Sequence, residues 1–215
     1  MNRELEVLEF FIIQINNLLL AGDSVGKSSN QKYILPIASH MYGAGKTSFG
    51  ENVLQKGVQM KNDLETYGSL KSPRFPEYTF ADVAAHEMFD AVASAQLALF
   101  DFRYHLDHSG NLVHDIRRNL IRLLLYVTGD SEADKQVWSS MKYDENNCGR
   151  IIKYFGGKYD MKFFIHVDEI QEIEQLTSTT PYAADNKLAK YYMVWNELHT
   201  IMQSGHLLYL YNMSL

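Results

Sequence analysis

The run Tyr33-Ile34-Leu35-Pro36-Ile37-Ala38-Ser39-His40-Met41-Tyr42-Gly43-Ala44-Gly45-Lys46-Thr47 constrains the fold more than any other part of the chain. A short apolar stretch leads into a glycine-rich turn. Beyond the turn, Val53, Leu54, Val58 and Met60 carry the apolar spacing of a helix. Short apolar runs bounded by turn residues read as buried parallel strands. The pattern therefore predicts a strand over 33–39 and a helix over 46–64. A strand that hands over to a helix is the opening of a crossover, so it selects an α/β fold with a mostly parallel sheet. Pro36 is awkward in the strand, because it brings no N–H to a ladder.

The turn has the composition of a phosphate cradle. Gly43, Ala44 and Gly45 let backbone N–H groups curl around anionic oxygens. The helix that follows offers its N-terminus to the same anion. Lys46 is expected to reach the β- and γ-phosphates, Thr47 to ligate Mg²⁺, and Ser48 to complete the binding run. The full G-x-x-x-x-G-K-[ST] pattern has a glycine where this chain has His40. The plainer alternative is a glycine-rich turn ahead of an ordinary helix.

A second feature complements the first. Phe163-Phe164-Ile165-His166-Val167 is an apolar strand that ends in Asp168 and Glu169. Magnesium takes hard oxygen ligands and keeps several waters. Asp168 is expected to position that ion. Glu169, one residue on, is expected to polarise the water that attacks a γ-phosphate. In open parallel sheets ligands gather at the carboxyl ends of the strands, and both motifs lie at such ends. Gln171 either orients water or faces solvent.

Gly22-Asp23-Ser24-Val25-Gly26-Lys27-Ser28 resembles the phosphate loop of small GTPases with one residue removed. A shortened loop wraps phosphate differently, and the segment before it reads as an amphipathic helix. A loop composition follows where a helix should start, and no Asn-Lys-x-Asp guanine-reading motif is present. The segment is read as a linker.

The chain divides into an N-terminal helix and linker over 1–30 and an α/β domain over 31–215. Helices are predicted over 3–20, 84–102, 112–127, 132–141 and 187–203. A shorter one over 151–155 should stop at Gly156-Gly157. A loop is expected over 68–76, and strands over 77–83, 162–167 and 206–211. With 215 residues, 46% of them hydrophobic, the chain can bury a sizeable core as one domain. Its net charge of −6 argues against a broad basic nucleic-acid face. The single cysteine, Cys148, rules out an internal disulfide and suits an intracellular setting. No run reaches the length of a membrane span. The apolar stretch 8–20 is broken by Gln14, Asn16 and Asn17. It follows Glu4, Glu6 and Glu9, which is not the form of a signal peptide.

Together these features resemble the P-loop NTPase domain of Crinkler effectors and the related retrotransposon hot spot proteins. The resemblance rests on Gly43-Ala44-Gly45-Lys46-Thr47-Ser48 and on His166-Val167-Asp168-Glu169. It rests also on Tyr191-Tyr192-Met193-Val194-Trp195-Asn196-Glu197-Leu198-His199 followed by Gly205-His206-Leu207-Leu208-Tyr209-Leu210. It covers residues 33–215. It implies a three-layer P-loop NTPase fold, C-terminally truncated, that binds ATP with Mg²⁺ and hydrolyses ATP through an additional catalytic glutamate. It further implies a polar sensor after the last strand, at Asn212, acting with Lys46 and Glu169. The family's turn there is Gly-Lys-Ser-like, and this chain has Asn212-Met213-Ser214. By resemblance alone, such proteins are secreted into a host or act in the nucleus. The nuclease-like domain and the oomycete translocation motif of that family are not found here.

Two weaker constellations remain. His105, His108 and His114 with Asp101, Asp107 and Asp115 raise a metal site, but their spacing is poor for one helix face and no cysteine joins them. Arg117, Arg118 and Arg122 form a solvated helix face, a nucleic-acid contact or a source of an arginine finger. The expected function is Mg²⁺-dependent ATP hydrolysis, coupled to a conformational or nucleic-acid-related role, with a homo-oligomer or a protein as partner and no membrane. A non-hydrolysing regulatory or effector module, and a P-loop kinase or GTPase, are the rivals.

Overall fold

The computed structural model describes residues 3–22, 33–35, 37–39, 46–102, 111–130, 146–169 and 187–212. In chain order the first half runs α1 (Glu4–Gly22), β1 (Ile37–Ser39), α2 (Lys46–Asn62), α3 (Leu64–Tyr67), β2 (Lys71–Ser72), β3 (Phe75–Thr79), α4 (Phe80–Ala85), α5 (Phe89–Ala93) and β4 (Gln96–Asp101). The second half runs α6 (Leu112–Thr128), α7 (Cys148–Tyr159), β5 (Phe163–Asp168), α8 (Lys187–Gln203) and β6 (Leu207–Asn212). Four strands form one parallel sheet in the order β1-β6-β5-β4. The strands β2 and β3 pair as a separate antiparallel hairpin.

Helices pack on both faces of the sheet, so the chain is α/β. Every residue of β5 is buried, as a strand covered on both sides must be. Its side chains alternate. Phe163, Ile165 and Val167 join one core with Ala98, Phe100, Leu208 and Leu210, covered by α6, α7 and α8. Phe164 joins the other with Leu207 and Tyr209, covered by α1, α2, α4 and α5. By the period of two, His166 and Asp168 share the face of Phe164.

The helix α1 is long and apolar enough to cross a membrane by length and composition, which the sequence reading did not anticipate. Here it buries Leu8, Phe11 and Ile12 in the second core. Its polar interruptions serve the sheet. The Gln14 amide donates to the Leu208 carbonyl at 2.8 Å. The Asn17 side chain accepts from the Ile34 N–H at 2.9 Å and donates to the Ile34 carbonyl at 2.7 Å. Those Ile34 bonds explain why the first strand begins at Ile37 and not at Tyr33.

Four more expectations change. The helix expected over 84–102 is two short helices followed by the strand β4. The helix α4 begins within the strand expected over 77–83. A capping box starts it: Thr79 Oγ1 accepts from the Asp82 N–H at 3.1 Å, and Asp82 accepts from the Thr79 N–H at 2.8 Å. The loop expected over 68–76 holds β2 and the start of β3. The helix α7 runs through Gly156-Gly157 and ends at Asp160, whose φ is 49°. A β-carbon on Gly156 would lie 2.5 Å from Cε1 of His206; this glycine makes room for a ring and does not end the helix. The helices predicted over 3–20, 112–127 and 187–203 and the strands over 162–167 and 206–211 are present within a residue or two. The helix predicted over 132–141 lies outside the described residues.

The helices on the first core meet at a buried ion pair. Arg117 of α6 donates to Glu197 of α8 from Nε at 3.1 Å and from Nη2 at 2.5 Å. The same carboxylate accepts the Cys148 N–H at the start of α7 at 3.0 Å. One acid thus ties three helices and caps one of them.

Candidate functional site

Strand ends gather the candidate residues along one edge of the sheet. Asp168 closes β5 with 2% exposure. Asn212 closes β6, and its backbone pairs with Ser39 at the end of β1. The strand β6 therefore ends between the strand that feeds the glycine turn and the strand that carries the carboxylates. Lys46 and Thr47 are the first residues of α2, and Ser48 is exposed in its first turn. Gly43, Ala44 and Gly45 lie outside the described residues, as do His40 and Gln171.

The direction of α2 follows from its contacts. Near its end, Lys61 pairs with Asp90 at 2.8 Å, and Asp90 lies in α5, just ahead of β4. Near its start, Gly50 meets His166: a β-carbon on Gly50 would lie 2.3 Å from both Cε1 and Nδ1 of that ring. The helix therefore runs antiparallel to the strands. From the Gly50–His166 contact, Thr47 is about 4.5 Å nearer the helix N-terminus. Asp168 is about 6.6 Å further along the strand in the same direction. The first turn of α2 and the Asp168 carboxylate thus converge at the carboxyl edge, on one face.

Asp101 belongs to the same place. It is in register with Asp168 on the adjacent strand and is 6% exposed. Ala98 and Phe100 face the first core and Leu97 the second, so Asp101 points to the face of Asp168. The Phe102 N–H donates to the Asp168 carbonyl at 3.1 Å and locks the two strand ends together. The sequence reading had placed Asp101 only among a loose group of histidines. Its strand was hidden inside a predicted helix, and with it the partnership.

Glu169 follows the strand with φ of 55°, a left-handed conformation that costs a non-glycine residue about 1–2 kcal/mol. Its N–H donates to Asp168 Oδ1 at 2.9 Å. The bond holds the Asp168 carboxylate at the turn. Strain of this kind collects where a side chain must be aimed.

His166 is fully buried beneath α2, and among the described residues neither ring nitrogen has a hydrogen-bond partner. Its ring stacks on Phe164 and meets Tyr209 edge-on at 5.4 Å between centroids. Burial lowers its pKa to about 4, against the opposing pull of the Asp168 charge. Burial holds the imidazole neutral.

A cleft of about 300 Å³ opens between α1 and α2, lined by Arg3, Glu4, Ser48, Phe49, Asn52 and Lys56. Arg3 lies over the Phe49 ring at 5.5 Å, and Lys56 pairs with Glu4 at 3.5 Å.

The donor set at the strand ends fits a hard divalent cation that keeps most of its waters: two buried carboxylates side by side, one hydroxyl residue at a helix start. Among the described residues no group of three or more His, Cys, Asp or Glu side chains could hold a metal ion; His105, Asp107 and His108 lie outside them. Arg117 is held in its ion pair with a side chain 13% exposed, which removes it as a nucleic-acid contact or a finger. Arg122 donates to Asn119 at 3.3 Å. Of the alternative loop, Gly22 ends α1 and 23–29 lie outside the described residues. No protein-family model matches the chain, and no similar curated protein and no similar solved structure is found.

Proposed function

We propose that the protein is a P-loop ATPase that binds ATP with Mg²⁺ and hydrolyses it, in the manner of the NTPase domains its sequence resembles. The observation that carries this reading is the convergence of the first turn of α2 with Asp168. It rests on the Gly50–His166 contact and on strand order. A glycine turn is a common element. A glycine turn whose helix opens beside two buried carboxylates at a strand edge has a use.

In this reading the loop amides, Lys46 and the N-terminus of α2 hold the phosphates. Thr47, Asp168 and Asp101 are the residues that would hold Mg²⁺, which when bound neutralises charge on the β- and γ-phosphates. Glu169, in its left-handed conformation just after the strand, accepts a proton from the attacking water. Asn212 ends β6, which lies between β1 and β5, and would contact the γ-phosphate or that water. Ser48 borders the cleft between α1 and α2, which offers room beyond the phosphates.

The test is equilibrium binding of ATP with and without Mg²⁺, by calorimetry, for the wild type, Lys46→Ala and Lys27→Ala. Binding lost only in Lys46→Ala supports the site. Binding lost only in Lys27→Ala, or no binding by the wild type, rejects it. The histidine at position 40, in place of the first loop glycine, favours a second reading, a nucleotide-binding module without turnover. Phosphate release by the wild type, with no acceptor added, excludes that module and a kinase alike.

A further inference from the structure

The most unusual group in the second core is the His166 side chain. Burying a polar ring with both nitrogens unpartnered costs on the order of 1–3 kcal/mol relative to an apolar ring. The cost falls at one place: beneath the start of α2, one strand step short of Asp168. The contact across from it is close. Gly50 has no β-carbon, and one added there would overlap the ring edge, 2.3 Å from Cε1 and Nδ1 and 2.8 Å from Cγ. Phe164 and Tyr209 flank the ring on the same face of the sheet. Among the described residues no hydrogen bond joins ring to helix, so at this point the distance between α2 and β5 is set by contact with the ring edge.

The geometry points to a positioning role: the His166–Gly50 contact is the spacer that sets the phosphate-binding end of α2 against the Asp168 carboxylate. This inference rests on the nucleotide reading above and goes beyond it, since it concerns residues that touch neither phosphate nor cation. Lys46 and Thr47 open α2, the helix that carries Gly50. Asp168 belongs to the sheet. A change in spacer thickness would leave the phosphate cradle whole and break the bridge from cradle to carboxylate that a shared Mg²⁺ makes. Phosphate binding without metal would survive; the gain in affinity that Mg²⁺ brings would not.

The experiment is calorimetric ATP binding in EDTA and in Mg²⁺ for the wild type, Gly50→Ala, His166→Ala and the double variant, with folding checked by circular dichroism. Gly50→Ala thickens the contact, and His166→Ala thins it. Each is expected to keep its EDTA affinity within about twofold and to lose about 10- to 100-fold of the Mg²⁺-dependent gain, the usual effect of disturbing groups that orient a metal ligand. The double variant, with a methyl where the ring edge lay, is expected to regain most of it. A full Mg²⁺ gain in either folded single variant overturns the inference, as does a double variant worse than both. If Gly50→Ala fails to fold, His166→Ala decides alone by the same measure. A wild type that binds no ATP in either buffer overturns the nucleotide reading itself, a result distinct from all of these.

Discussion

Asp101 and Asp168 stand in register on adjacent parallel strands, both buried and both on the face covered by α2. In the proposed site these two carboxylates would help to hold Mg²⁺. Replacing Asp168 by Asn is expected to abolish the rise in melting temperature that MgATP gives the wild type, while leaving ATP binding in EDTA intact. Asp101→Asn should give a partial loss in the same assay. An undiminished Mg²⁺ shift in both variants would remove the carboxylate pair from the site.

Glu169 is expected to separate fold from turnover. Glu169→Gln keeps the size of the side chain and removes the base, so MgATP affinity should hold while turnover falls by about 10²–10⁴. Glu169→Gly relieves the left-handed backbone and should stabilise the fold by up to about 1 kcal/mol, with the same loss of turnover. Phosphate-release rates and urea midpoints for the two variants check both halves; equal turnover in Glu169→Gln would end its assignment as the base.

The Arg117–Glu197 pair predicts a large effect on the opposite face of the sheet. Removing one partner strands a buried charge, at a cost of about 3–5 kcal/mol. Glu197→Gln also weakens the cap on α7, which accepts the Cys148 N–H. Urea unfolding of Arg117→Met and Glu197→Gln should show this loss, with MgATP affinity unchanged in whatever remains folded. A drop below 1 kcal/mol, order of magnitude, would mean that the pair is solvated.

His206 gives a pH signature. Its Nδ1 accepts the Phe163 N–H at 3.1 Å, so the neutral ring carries its proton on Nε2. Burial first, and the Lys162 charge second, depress its pKa from 6.5 to about 4. The unfolded chain therefore binds the proton more readily than the folded one between those values. Stability is full above pH 6.5, falls as pH drops toward 4, and flattens below it. The shift corresponds to about 3 kcal/mol at most, and His166 adds in the same direction. His206→Gln, whose amide oxygen can accept the same N–H, should show a visibly shallower fall in urea midpoint between pH 7 and pH 4; an unchanged slope would contradict the assignment.

Much of the sheet edge is legible in the sequence. The runs 163–168 and 207–212 announce themselves because strands buried on both faces are continuously apolar. The helices at 4–22, 112–128 and 187–203 carry clear periodicity or clear stops, such as Gly129 and Gly205 with φ of 70° and 76°. The strand Gln96–Asp101 is not legible. Leu97, Ala98, Leu99 and Phe100 are as much at home in a helix, and what makes them a strand is β5, distant in sequence and adjacent in space. Asp101 was lost with it. His166 was quoted in the carboxylate motif, yet nothing local says that Gly50 will press upon it. Gly156 illustrates the converse. It reads as a helix stop from its neighbours, and it is a niche for an imidazole brought by a strand far down the chain.

The amides of α1 have a consequence for how copies of this protein meet. The Leu208 carbonyl precedes the stretch of β6 that pairs with β1, which begins at Leu210. The Gln14 amide occupies that carbonyl, and Asn17 occupies both backbone groups of Ile34. A helix thus stands in for a missing neighbour along the lower half of the sheet. Backbone that would otherwise recruit a foreign strand is already taken, so α1 acts as a guard against edge-to-edge association. Its apolar length, which alone would suit a bilayer, is what seats that guard.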